Sequence, residues 1–296
     1  MPRIGEIATY SLSDNIVGPA FMNAFNYEAI PDPTHGRVNY VDKATAQRLN
    51  LTYGSGETFI LRADHTTMLS GAVQAGIVSG SFPARHTELT SPFLTFGICH
   101  NLVEHGPQSG RRKGEIDILE GVNDQGPNTA TLHTSAGCTM PASRSQTGTA
   151  LQNDCNVAVN SNAGCGVRMP TANSYGPSFN SNGGGWYAVE RTTSFIKIWF
   201  WPRNSGSVPS DVRNGGSSVN TGNWGTPTAY FPNSQCDLNS HYQENNIIIN
   251  LTFCGDWAGN AYGSSGYPSS CVDYVNKNPS AFAHAYFDFA SLRVYT

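Results

Sequence analysis

In FIKIWFW, Phe195, Lys197, Trp199 and Trp201 fall on one face of an extended chain and Ile196, Ile198 and Phe200 on the other. Side chains alternate across a strand with a period of two, so this run reads as a strand covered on both faces. NNIIINLTF and AYFDFASLRVYT read the same way. Between such runs lie NSNGGGW, PRNSGSVPSD, RNGGSSVNTGNWG and NAYGSSGYPSS, where Gly, Pro, Asn and Ser supply the backbone angles of turns. Helical periodicity is scarce, and its best stretch is the short DKATAQRL, Asp42 to Leu49. Short strands and long polar loops in both halves, without a repeat period, predict an all-β fold, an antiparallel β-sandwich, and not βαβ units. One domain over residues 8–296 is expected. The Trp residues on these strands, Trp186 and Trp199 among them, are expected to pack in the core.

Only 13% of the residues are charged, the formal charge is −4, and no basic run exceeds Arg111-Arg112-Lys113. That excludes the electrostatic footprint of a nucleic-acid partner. No window approaches a membrane-spanning apolar run, and Ile247-Ile248-Ile249 is bracketed by Asn, so no membrane partner is expected.

Against this low charge, GEIDILEG places Glu115, Asp117 and Glu120 within six residues. Ile116, Ile118 and Leu119 make it a strand, bounded by Gly114 and Gly121. In a regular strand Glu115 and Asp117 share a face and Glu120, five positions on, falls on the opposite one. A bulge at Ile118-Leu119 would make the odd count even and turn all three acids to one side. Five residues then advance about four pleat steps, which leaves the two Glu carboxyl groups roughly 5 to 6 Å apart, near the ~5–5.5 Å of retaining glycosidases. Three carboxylates on one face cannot all ionise cheaply, so one keeps a proton near neutral pH. Double displacement on a sugar needs that division: one ionised Glu attacks the anomeric carbon, and the other donates a proton to the leaving oxygen. Asp117, between them, tunes which group carries the proton. The competing reading is an acidic exposed strand or half of a calcium site. Acids inside an Ile-rich strand argue against it, since uncompensated burial costs several kcal/mol each.

Glu115-Ile-Asp-Ile-Leu-Glu120 resembles the E-x-D-x-x-E signature of glycoside hydrolase family 16, and within it the fungal laminarinases, endo-1,3(4)-β-glucanases. The resemblance runs from ATYSLSDNIVGPAFMNAF through DPTHGRVNYVD, EGVNDQGPNTATLHT, MPTANSYGPSFNSNGGGWYAVER and NIIINLTFCGDWAG to FDFASLRVY. It implies a concanavalin A-like jelly roll of two antiparallel sheets with a concave cleft, acting as a monomer on β-glucan polysaccharide without metal or organic cofactor. Glu115 is then the nucleophile, Asp117 its assistant and Glu120 the acid/base. His133, in TLHT, resembles the family's His beside the acid/base. Trp257, in FCGDWAG, resembles an aromatic platform on the leaving-group side, and Asn39, in RVNYVD, is a further cleft position. Transfer of the glycosyl unit to a second sugar, or glucan binding without turnover, are the alternatives.

The resemblance lapses between about Leu69 and Arg112. Here the family shows a G-R-N-S-V-R-I strand, then R-H-M-P-Q-x-C-G-T-W-P-A-x-W. In suitable codons, R-H-M-P-Q read one base later gives Gly-Ile-Cys-His-Asn, which is Gly97 to Asn101. G-T-W-P-A-V-W shifted likewise gives Glu104 to Gly110, and G-R-N-S-V-R-I can give Ala75 to Ser81. Residues 69–112 are therefore read as out of frame or mis-spliced.

Seven Cys occur, and the six outside that segment, at 138, 155, 165, 236, 254 and 271, suit disulfides in loops and strand ends, with the pairing open. With the sequons at Asn50 and Asn250, they predict a secreted protein. MPRIGEIATYSL lacks the apolar core of a secretory signal, so the leader is expected to be missing from the sequence as written.

Overall fold

The computed structural model describes residues 9–70, 75–77, 80–82, 93–95, 114–242 and 245–296. Most of the 69–112 segment, including Cys99, lies outside the described residues.

The chain folds as the predicted antiparallel β-sandwich, and one apolar cluster joins its sheets. In the large sheet Gly185–Arg191 pairs with Phe195–Pro202, which pairs in turn with Ala229–Pro232. On its other side Tyr286–Tyr295 pairs along one edge with Thr9–Val17 and Thr58–Arg62, and along the other edge with Phe93–Thr95, which links it to Gly185–Arg191. A four-stranded sheet holds Glu115–Glu120 at one end, followed by Thr129–His133, Val167–Arg168 and Thr149–Ala150. Leu119, Ala130 and Leu132 of this sheet share a buried core with Phe59, Tyr187, Ile196, Ile198, Phe287 and Phe289 of the large one.

The alternation read from FIKIWFW has its physical origin here. Ile196 and Ile198 face that core, while Trp199 and Trp201 belong to a second cluster on the far face, with Tyr10, Trp186, Trp224 and Tyr295. Trp224 stands edge-on to both Trp199 and Trp201, an arrangement that ring quadrupoles favour. The helix expected at Asp42 to Leu49 spans Lys43–Arg48, capped by the Asp42 carboxylate accepting from the Thr45 N–H. Short helices at Gly176–Ser181 and Cys271–Lys277 lack a periodic signal and are fixed by their surroundings.

All six expected cysteines are bridged, as Cys138–Cys236, Cys155–Cys165 and Cys254–Cys271. Of the two sequons, Asn50 is exposed, but Asn250 is only 2% exposed, so Asn50 alone is open to a glycan in the folded protein. No helix among the described residues is long and apolar enough to cross a membrane.

Candidate active site

The acidic strand is bulged where its spacing requires. Asp117 pairs with Thr131 and Glu120 with Thr129, so Ile118 and Leu119 together oppose Ala130 alone. Leu119 turns into the core, and Ile116, beside Leu132, packs against it. Glu115, Asp117 and Glu120 are thereby left together on the opposite face. They are not an exposed acidic edge: Asp117 is 3% exposed and both glutamates are partly covered.

The neighbouring strand supplies His133, opposite Glu115 in register and diagonal to Asp117. Its Nε2 lies 3.2 Å from Asp117 Oδ2, and its Nδ1 lies 3.0 Å from Asn162 Oδ1. The imidazole thus links Asp117 to Asn162, with the donor at each ring nitrogen set by the tautomer. Asp117, Glu120 and His133 bring one ligand atom each within 4.8 Å of one another. Such a set could also hold a divalent cation.

The strand ends are set by close packing. A Cβ at Gly114 would stand 2.5 Å from the Tyr242 ring, and one at Gly121 would stand 2.5 Å from the Tyr175 ring. Gly114 N–H donates to the His241 carbonyl at 2.7 Å, and Asn245 Nδ2 donates to the Gly114 carbonyl at 2.7 Å. Among the described residues no strand pairs with this edge of Glu115–Glu120. Burial, then the charge of Asp117, pushes the Tyr242 phenol well above its ordinary value, so it stays neutral, with Arg191 over its ring at 5.7 Å.

Burial, then the charge of Asp117, pushes Glu115 up to about 8, with His133 pulling the other way. The same two causes lift Glu120 well above the usual carboxylate range, and Glu115 adds to them. Glu115 and Glu120 therefore do not titrate independently.

Trp257, 39% exposed, sits in the turn Gly255–Gly259. That turn is tied to the Glu120 end of the strand, because Asn123 Nδ2 donates to the Ala258 carbonyl at 2.9 Å. Asn39 is exposed between buried Val38 and Tyr40. Its segment is fastened to the same region by Arg37 N–H to the Phe253 carbonyl at 2.7 Å and Asp256 N–H to the Thr34 carbonyl at 2.9 Å. Sequence reading singled out neither Asn123 nor Tyr242 nor Asn162. Asn123 reads as a turn residue and has φ of 53°, a left-handed value that Asn tolerates.

A fold of two antiparallel sheets carrying three acids on a bulged strand is the framework of a glycoside hydrolase. A family model described as the XgeA-like catalytic domain of glycoside hydrolase family 16 matches residues 104–295. The chain belongs to glycoside hydrolase family 16. A probable glycosidase of Schizosaccharomyces pombe is 40% identical over 97% of this chain and 69% of its own length. A probable endo-1,3(4)-β-glucanase of Aspergillus clavatus is 35% identical over 97% of this chain, which spans only 46% of that relative. Among solved structures, laminarinase 16A of Phanerochaete chrysosporium, with β-glucans in donor and acceptor sites, is 57% identical. It superposes with a TM-score of 0.90 over 98% of this chain and 100% of its own. An elongating family 16 β-1,3-glucosyltransferase is 34% identical, with a TM-score of 0.85 over 97% of this chain and 100% of its own.

Proposed function

We propose that the chain is a secreted, monomeric, retaining endo-β-glucanase that hydrolyses β-1,3 or mixed β-1,3/1,4 glucan by double displacement. The observation that carries this reading is the bulge, which turns Glu115, Asp117 and Glu120 to one face beside His133. Glu115 attacks the anomeric carbon while Glu120 protonates the departing glycosidic oxygen; Glu120 then takes a proton from water as that water releases the sugar from Glu115. Asp117 raises both glutamates and His133 opposes it, so the pair tunes which glutamate is ionised. The chemistry is complete with carboxyl groups alone, so dialysis against a chelator is expected to leave the rate unchanged. The names of the relatives support the substrate class, and three disulfides support an oxidising compartment.

Residues 69–112 are out of frame or mis-spliced relative to the family. The lapse of the family resemblance between about Leu69 and Arg112, and the shifted-codon matches at Gly97 to Asn101 and Glu104 to Gly110, support this reading. Expression of the chain beside a version with that frame restored, both assayed for reducing ends released from laminarin, tests function and frame together. Release by either version supports the glucanase. Binding of laminarin without release by both would leave a non-catalytic glucan-binding protein. Longer products from an oligosaccharide would favour transfer, the reaction in the name of the 34% identical neighbour.

Two predictions arise at the site. Asp117 raises both glutamates, so Asp117→Asn lowers both, and Glu120 loses its proton at lower pH. The alkaline limb of the kcat/KM profile for laminarin is expected to move toward acid by about one pH unit. An unmoved limb would remove Asp117 from its tuning role. Trp257 offers an exposed ring at the Glu120 end of the cleft. Trp257→Ala should raise KM for laminarin about threefold to tenfold, the worth of one aromatic face, with kcat nearly unchanged. An unchanged KM would place the sugar elsewhere.

A further inference from the structure

A bulge removes ladder partners from the backbone it displaces, and buried N–H and C=O groups left without partners are costly. In Glu115–Glu120 the displaced groups are the Ile118 carbonyl and the Glu120 N–H, on either side of Leu119. One side chain takes both: Asn128 Nδ2 donates to the Ile118 carbonyl at 2.9 Å, and the Glu120 N–H donates to Asn128 Oδ1 at 2.8 Å. A flipped amide would set donor against donor and carbonyl against carbonyl, so one orientation alone fits.

Asn128 is itself fixed on every side. It is 0% exposed. Its N–H donates to Ser174 Oγ at 2.9 Å, and its carbonyl accepts from the Met169 N–H at 2.9 Å. Ser174 is held in turn, donating from Oγ to the Thr171 carbonyl at 2.7 Å and accepting the Tyr187 hydroxyl on its own carbonyl at 2.5 Å. The clamp therefore connects the backbone of Glu120 to the rigid floor of the sandwich.

We propose that Asn128 is the positioning residue for Glu120, holding the bulge that turns this carboxyl group to the face of Glu115. This rests on the glucanase reading above. Without the clamp the strand can regularise, and a one-residue slip carries Glu120 toward the opposite face. Asn128 touches no substrate. Its effect passes through the aim of the acid/base.

Asn128→Asp has the same shape and tests this directly. Protonated, its carboxyl donates to the Ile118 carbonyl and accepts from the Glu120 N–H; ionised, it has no donor for Ile118. Its kcat on laminarin should approach wild type at acid pH and fall about 100-fold as the new carboxyl ionises, with KM unchanged, the cost of misplacing a catalytic group by about an ångström. Departure of dinitrophenolate needs no proton from Glu120, so its burst from a dinitrophenyl β-laminaribioside should stay within about threefold of wild type. Asn128→Ala, assayed below its own thermal transition, should lose the laminarin rate at every pH and keep the burst. Burst and laminarin rates falling in parallel would reduce Asn128 to a purely structural role. Wild-type rates in Asn128→Asp across the whole pH range would likewise overturn the proposal. A wild type that gives neither reducing ends nor a burst would fail the glucanase reading first, and the positioning role with it.

Discussion

Glu115→Gln is expected to abolish glucan cleavage and to make the protein more stable at neutral pH. The loss of rate follows from removing the proposed nucleophile, and should reach at least about 10⁴-fold on laminarin. The gain in stability follows from the raised carboxyl. Glu115 is pushed from 4.5 in an unfolded chain up to about 8 in the fold, so the folded protein binds the proton more tightly. Stability contributed by such a group is fully present below pH 4.5 and is lost as the pH rises toward 8. At pH 7 the penalty is on the order of 2 kcal/mol, since part of the proton binding is shared across the trio. Gln keeps the shape, carries no charge, and relieves that penalty. A thermal midpoint roughly 4–8 °C above wild type at pH 7, converging with wild type near pH 4, is expected for a domain of this size. Equal midpoints at pH 7 would show that Glu115 is not strained by burial and by Asp117.

Removing the Cys138–Cys236 bridge should have the largest effect on stability. Its cysteines are 98 residues apart, against 10 for Cys155–Cys165. By loop-closure entropy the long bridge contributes about 4.7 kcal/mol and the short one about 2.7 kcal/mol. The first figure is a large share of the 5–15 kcal/mol margin of ordinary domains, roughly speaking. The bridge also bears on the site. Cys138 follows the strand of His133, and Cys236 leads into the segment whose His241 carbonyl accepts the Gly114 N–H. Cys138→Ala with Cys236→Ala should therefore lower the denaturation midpoint more than Cys155→Ala with Cys165→Ala. It should also abolish laminarin cleavage at temperatures where the second variant still works. Equal losses in the two double variants would contradict the loop-length account.

The acidic strand was legible because it breaks a rule. An odd spacing between acids in an otherwise regular strand is consistent with one shared face only through a bulge, and Ile118 and Leu119 do oppose Ala130 together. The two faces of FIKIWFW and the cap at Asp42 were legible for the same reason, since alternation and capping are local. Asn128 was not. In GPNTATLH it reads as one more turn residue, and its role depends on where the Ile118 carbonyl lies after the hairpin folds. Tyr242 likewise looks like a loop aromatic until Gly114 is seen against its ring. The disulfide pairing depends on which loops meet, a tertiary fact with no local signal. Asn250 shows the opposite failure: the tripeptide is a sequon, and burial closes it.

The central claim is that Glu115 becomes covalently bonded to the sugar. A laminaribiosyl fluoride bearing fluorine in place of the hydroxyl beside the anomeric carbon slows both steps, the second more, and lets the intermediate accumulate. Digestion and mass spectrometry of the treated protein then locate the sugar. The predicted result is a single laminaribiosyl adduct on Glu115 within GEIDILEG, absent from Glu115→Gln, with products of retained β configuration. An adduct on Glu120, or an α-configured first product without any adduct, would contradict the assignment.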